Sequence, residues 1–355
     1  MIRTIDLSAF AFKDRNDPAT TQGQSDRLAA ARSLVDACHS LGFVKITGHG
    51  LSDGEVDEAF GWLKRLFDLP TEEKMKAPHP PGPMPHRGYS GIGREKVYHL
   101  DDVKKLETET GGNGNVSDEL RKISDFKESY EIGSEHDDQQ QNIWLPDDVL
   151  DGFRTYFSAL YERLDEVADM ILDAIGVGLG LDEEAHAALM ALHSNRHCQL
   201  RLLHYPAIEK DMSDSVFARL PAHNDWGTFT LLFQDSNGGL ELMDPKTKEF
   251  IHATPEKGAL VLNIGDMLQR FTNDYFISAL HRVSVPGPDV IRDKGVPARY
   301  SIPYFIGPKP SHTIASLPQF VTADSPAKYE PVRFDEYGAL ISKYQYADGE
   351  KEKEN

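Results

Sequence analysis

Three side chains suited to binding a metal stand against apolar, strand-like sequence. His223 and Asp225 head the stretch RLPAHNDWGTFTLLFQD (219–235), and His281 lies in SALHRVSV, 56 residues after Asp225. From Gly227 onward the first stretch has the composition of a buried strand, so a polar His-x-Asp leading into it is an anomaly. Residues two apart on extended backbone point to the same side, so an imidazole and a carboxylate converge there. His281, on a later strand, can complete a three-ligand set. The pattern also occurs at His99 with Asp101 and at His136 with Asp138, in polar stretches that read as solvated surface. Taken singly, His223 with Asp225 reads as a structural ion pair and His281 as a satisfied core histidine. Together they point to a metal.

Two histidines and one carboxylate on one side of a metal leave about three positions open, which suits non-haem Fe(II) and O2 chemistry. A closed structural zinc site wants four ligands, usually with thiolates, and neither Cys38 nor Cys198 has the spacing. A catalytic zinc with a bound water satisfies the same three ligands. The choice is tipped by Arg299 and Ser301 at the start of RYSIPYFI, which share one face of a strand. A buried arginine needs an anion, and its planar fork suits a carboxylate, with a serine hydroxyl as a further donor. Tyr205, in LRLLHYP, can add a phenol. Fe(II), Asp225, a dicarboxylate and Arg299 sum to zero charge, a balance that a water-poor site tolerates.

The elements around these residues change character along the chain. Ile2 to Phe10 reads as a short strand and residues 25–41 as an amphipathic helix ended by Gly42; FVKIT (43–47) is a strand. A helix opens at Ser52 with Glu55 three residues on, a capping-box pattern, and Pro70 stops it. APHPPGPMPH (77–86) is too rich in proline for regular structure. The charged segment 101–125, with GGNGN, is read as a surface loop and a candidate lid. Asp147–Ile175 is the longest expected helix, closed by GVGLG, and Asp182–Leu192 a short one. From Cys198 to Gly307 the chain becomes seven short strands, with SNGG read as a hairpin turn between two of them. Helix returns at Phe334–Tyr344, and DGEKEKEN is a solvated tail. Seven strands without a long intervening helix predict an antiparallel barrel or jelly roll.

Composition narrows the function. The chain has 355 residues, long enough for a sizeable core, with 38 basic against 57 acidic side chains, a formal charge of −19. That charge, with no basic stripe, argues against a nucleic acid polymer as partner. No apolar run approaches the roughly 18 residues of a membrane span, and no signal peptide is read. Two cysteines make no disulfide framework, so a cytoplasmic location is expected. Oligomeric state is not legible.

HND (223–225), His281 and RYS (299–301) resemble the iron and 2-oxoglutarate motifs of the non-haem Fe(II)/2-oxoglutarate dioxygenases of the isopenicillin-N-synthase-like superfamily. The resemblance spans nearly the whole chain, from IDLS, GFVKITGHGLS and LFDLPTEEKMK onward. RGYSGIGREKV, FKESYEIG, LRLLHYPAI and TLLFQDSNGGLEL are similar to the fungal thymine dioxygenases within it. The resemblance implies an α+β fold with a double-stranded β-helix (jelly roll) core. A helical N-terminal region (1–195), the catalytic core (196–310) and a C-terminal helix and tail (311–355) would form one catalytic unit. It implies iron held by His223, Asp225 and His281, and 2-oxoglutarate chelating the iron and meeting Arg299, Ser301 and Tyr205. Succinate and CO2 are the co-products of oxidising a small-molecule C–H bond, in natural-product or nucleobase metabolism. Some members retain Arg-x-Ser without consuming 2-oxoglutarate.

Trp226 stands where a tyrosine is common after His-x-Asp, which widens an aromatic wall and puts thymine itself in question. Phe305, Arg201, Tyr89, Arg94 and Lys127 are further candidates for the substrate pocket. Hydroxylation is the expected outcome; a desaturase or cyclase on the same iron, or a non-catalytic jelly-roll binding protein, are the alternatives.

Overall fold

Two strands that the sequence marks plainly, CQLRLLHY and RYSIPYFI, lie side by side at the middle of the protein. This is seen in a computed structural model that describes residues 2–11, 21–81, 86–95, 126–137, 139–194, 197–208, 219–285 and 295–342. The first is β5 (Cys198–Tyr205) and the second β12 (Arg299–Ile306), antiparallel, with Arg299 opposite Tyr205. Both are rich in large apolar residues and buried on both faces.

They belong to an eight-stranded sheet of order β1-β2-β10-β7-β12-β5-β4-β3. The other members are β1 (Thr4–Asp6), β2 (Phe43–Thr47), β3 (Gly88–Ser90), β4 (Glu128–Ile132), β7 (Phe229–Gln234) and β10 (Leu260–Ile264). Only β1 with β2 is parallel; the other pairs in the sheet are antiparallel. A second sheet has the order β6-β11-β8-β9. It comprises β6 (Leu220–His223), β8 (Leu240–Met243), β9 (Phe250–His252) and β11 (His281–Val283). The two sheets make the double-stranded β-helix. A small cluster of Leu203 and Tyr205 from the large sheet with Leu220 and Val283 from the small one is part of the packing between them.

The N-terminal region is less purely helical than its sequence suggests, because β1 to β4 extend the large sheet at both ends. Its helices are α1 (Thr21–Leu41), α2 (Asp53–Phe67), α3 (Thr71–Lys74), α4 (Phe153–Gly178) and α5 (Glu183–Leu192). The capping box at Ser52 and Glu55 forms as expected. Helix α4 starts six residues later than its apolar stripe predicts, because Gly152 before it takes φ 80° and residues 146–151 turn instead. Where α4 meets α1, a Cβ on Gly178 would lie 2.3 Å from the Ala31 carbonyl oxygen, so only glycine allows the approach. Helix α6 (Asp266–Phe271) follows β10, and α7 (Phe334–Ser342) follows the short hairpin of β13 (Thr313–Ile314) and β14 (Val332–Arg333).

SNGG does not make a hairpin. Strand β7 pairs with β10 and β12, whereas β8 pairs with β11 and β9, so this turn carries the chain from one sheet to the other. Gly238 and Gly239, both at positive φ, make the corner. Segment 101–125, the pairs at His99 and Asp138, and the C-terminal tail lie outside the described residues.

Candidate active site

His223 is the last residue of β6 and His281 the first of β11, and the two are direct partners across the antiparallel pair. Register therefore brings together histidines far apart in sequence, with ring centroids 4.3 Å apart. Asp225 sits in the bend after β6 rather than on a strand. That bend is fixed by backbone bonds: Asp266 N–H donates to the Asp225 carbonyl at 2.8 Å and Gly265 N–H to that of Thr228 at 2.9 Å. A Cβ on Gly265 would lie 2.3 Å from the Gly227 carbonyl oxygen.

His223 Nε2 and His281 Nε2 are each 3.8 Å from Asp225 Oδ1, and one ligand atom from each residue falls within 4.8 Å of the others. Each ring's Nδ1–H donates to a backbone carbonyl, His223 to Pro221 at 2.9 Å and His281 to Ala279 at 3.1 Å. This leaves both Nε2 lone pairs directed to the shared centre, as metal-binding imidazoles require. Burial, with the His281 charge adding, pushes His223 down to about 4, so it is neutral near pH 7. Burial pushes the Asp225 carboxyl up, but the facing His281 and His223 imidazoles and hydrogen bonds from Thr230 and Asn263 outweigh it and hold it below the ordinary carboxylate value. The donor set and its geometry fit a divalent metal bound on one face.

Arg299 is fully buried and points its Nε–H to the Gly238 carbonyl at 2.8 Å and Nη1 to Ser301 Oγ at 3.0 Å. Its guanidinium lies 5.0 Å from the centroid of the Tyr205 ring. Among the described residues no carboxylate pairs with it, so the structure holds a buried cation waiting for an anion. That fits a dicarboxylic co-substrate. The SNGG corner, misread as a hairpin, is what supplies the Gly238 carbonyl.

Beside the metal ligands a cavity encloses about 960 Å³, including its open mouth. Trp226, Phe305, Arg201 and Lys127 line it, as the sequence suggests. Tyr89 and Arg94 do not. Tyr89 is buried in β3 with its hydroxyl donating to Glu128 Oε2 at 2.6 Å, and Arg94 is exposed on a turn. The strand pairing of β3 with β4 turns Tyr89 to a structural carboxylate instead.

Sequence reading missed the acids of this wall. Glu95 pairs with Lys127 and with Arg201 Nη1 at 3.1 Å, while Glu131 Oε1 lies 2.7 Å from Arg201 Nε, off the hydrogen-bond axis. Gln199 also donates to Glu131. Burial alone would raise Glu95, but the charges of Arg201 and Lys127 hold it well below the usual carboxylate range. Two cations and two anions thus face one another, while burial pushes His86 down to about 3 and His197 to about 4, both neutral. For Glu131 the available signal was a strand, ESYEI, carrying two glutamates on either side of a tyrosine. Helix α7 closes the cavity with Phe334 and Ile341, Phe334 stacking on Trp226 at 5.2 Å.

A jelly roll carrying an open two-histidine, one-carboxylate face beside a buried, unpaired arginine defines a non-haem iron oxygenase that uses a 2-oxo diacid. Comparison with known proteins agrees. Residues 2–149 match the non-haem dioxygenase N-terminal family, described from morphine synthesis, and residues 196–308 match the 2OG-Fe(II) oxygenase superfamily. The chain belongs to the 2OG-Fe(II) oxygenase superfamily and is a 2-oxoglutarate-dependent dioxygenase. It is 36% identical to the 2-oxoglutarate-Fe(II) type oxidoreductase ppzD of Metarhizium rileyi, over 95% of this chain and 89% of that protein. It is also 36% identical to the proline hydroxylase buaE of Petromyces alliaceus, over 85% and 88%. The crystal structure of the Neurospora crassa thymine hydroxylase with 2-oxoglutarate and thymine superposes with a TM-score of 0.79 at 31% identity, covering 97% and 96% of the two chains. No helix among the described residues is long and apolar enough to cross a membrane.

Proposed function

We propose that this oxygenase hydroxylates an unactivated C–H bond of a small, polar molecule without net charge. The observation that carries the reading is the convergence of His223, Asp225 and His281 beside a cavity lined by Arg201, Lys127 and Glu95, with Glu131 buried behind Arg201, so that two cations are balanced by two anions. A substrate with net charge would find these groups already paired and would itself go uncompensated, which costs several kcal/mol. Thymine, bound by the Neurospora enzyme, and proline, acted on by the Petromyces enzyme, are both polar and carry no net charge, though their hydrogen-bonding patterns differ.

Iron bound at the three ligands supplies O2 activation coupled to decarboxylation of 2-oxoglutarate to succinate and CO2. The protein's share is positioning. His223, Asp225 and His281 hold the metal from one side, and Arg299, Ser301 and Tyr205 receive the co-substrate's far carboxylate. The charged wall orients the substrate, and Trp226, Phe305 and α7 restrict water. Small-molecule chemistry in the cytosol, without nucleic acid or membrane partners, is part of this proposal; Cys38 and Cys198 are both buried and form no disulfide with each other, consistent with a reducing compartment.

The test is a panel including thymine, free proline, its methyl ester and N-acetylproline, scored by substrate-dependent succinate and by product mass. Turnover confined to compounds with net charge would overturn the substrate reading. A product short of two hydrogens, with no oxygen gained, would replace hydroxylation with desaturation or ring closure. Anaerobic Fe(II) with 2-oxoglutarate should give a metal-to-ligand absorption band.

A further inference from the structure

A second arginine stands next to Arg299 without an anion. Arg219 precedes β6, its backbone N–H bonded to the Val283 carbonyl at 2.9 Å, and its side chain is fully buried. Its Nη2 donates to the carbonyls of Pro206, at 3.2 Å, and Pro297. Pro206 follows Tyr205, and Pro297 lies two residues before Arg299, so the guanidinium sits beside the end of β5 and the start of β12. Nε and Nη1 are buried and have no hydrogen-bond partner. Burial, with the neighbouring Arg299 charge adding, pushes Arg219 down to about 10, against the pull of Tyr205 and Asp235. It remains charged at neutral pH.

Two adjacent buried guanidinium groups, neither in an ion pair among the described residues, are unfavourable unless an anion joins them. The carbonyl contacts of Arg219 account for one nitrogen only. We propose that Arg219 is a second binding residue for the far carboxylate of 2-oxoglutarate, so that this end of the diacid meets two guanidinium groups. The inference rests on the 2-oxoglutarate reading of the site. With Arg219 included, the metal, Asp225, the diacid and both arginines sum to one positive charge, and Asp235 offsets it. Asp235 itself is engaged by the Tyr300 N–H at 2.7 Å, which leaves the diacid as the group able to reach the arginines' free N–H groups.

Calorimetric binding to the Mn(II)-loaded protein, without turnover, tests this. The two ligands are 2-oxoglutarate and 2-oxobutanoate, which share the keto-acid end but differ in the far carboxylate. In R219Q the affinity for 2-oxoglutarate should fall about tenfold or more, the loss of one charge-assisted hydrogen bond, with 2-oxobutanoate unchanged. R219K, which keeps the charge, should recover part of the loss and serves if R219Q does not fold. Unchanged 2-oxoglutarate affinity in these variants, or equal weakening of both acids, would overturn the proposal and leave Arg219 a clamp on two carbonyls. If the unmodified protein failed to prefer 2-oxoglutarate over 2-oxobutanoate, the co-substrate reading itself would fall, and that comparison is made before any variant.

Discussion

Thr230 Oγ1 donates a 2.6 Å hydrogen bond to Asp225 Oδ2, and Asn263 Nδ2 donates to the same oxygen at 2.7 Å. One carboxylate oxygen is thereby saturated, and only Oδ1 faces the two histidines. The residue pair sets the orientation of the carboxylate and its single-oxygen presentation.

Replacing Thr230 with Val, or Asn263 with Leu, should weaken metal binding by about tenfold each, since the supporting hydrogen bonds of ligands typically carry one to two orders of magnitude. Mn(II) titration of the folded variants measures this. Asp225→Ala should abolish binding; retention of wild-type metal affinity there would remove the ligand assignment.

Glu95 is buried between Lys127 and Arg201. Glu95→Gln removes the carboxylate paired with Lys127 and leaves Arg201 only Glu131, and breaking a buried pair in this way costs about 3–5 kcal/mol. Urea unfolding should show that loss. The substrate KM should rise while 2-oxoglutarate affinity stays unchanged, because the wall lies on the substrate side.

At Gly338 in α7, an added Cβ would lie 2.9 Å from Trp226 Cζ3. Gly338→Ala should displace the indole or the helix, changing the indole fluorescence and raising the substrate KM. Metal affinity should be unaltered, because the His223, Asp225 and His281 contacts do not involve α7.

Acid stability follows from His86, pushed down to about 3 by burial and the Arg201 charge. Unfolded, it titrates near about 6.5. Below that pH the unfolded chain takes up a proton that the folded one does not, so stability falls as pH drops from about 6.5 toward about 3, and is unaffected above it. His197, pushed down to about 4, acts in the same direction. Unfolding free energies at pH 7, 6 and 5 should decline, with a shallower slope in His86→Asn.

The clustering of His223, Asp225 and His281 was legible because polar residues interrupt strand-like sequence, and β5 and β12 were legible because their large apolar and aromatic residues leave few alternatives. The extents of β6, β3 and β4 were not. LPAH contains a proline, GYS is three residues long, and ESYEI carries charges that make sense only once Arg201, Lys74 and His204 are beside them. SNGG has the right turn chemistry for a hairpin; which sheet receives the chain afterwards depends on β11, some forty residues away. Glycine at positive φ announces a corner but not its destination.

His223 and His281 belong to the four-stranded sheet, with Asp225 just after β6, whereas Arg299 and Tyr205 belong to the eight-stranded one. Leu203, Leu220 and Val283 are among the residues that keep these sheets apart. A co-substrate that binds the metal at one end and Arg299 at the other must span that gap, so the packing of these side chains acts as a calliper on its length. Thinning or thickening the core there, say with Leu220→Ala or Val283→Phe, would shift preference toward shorter or longer oxo acids without altering any group that touches them.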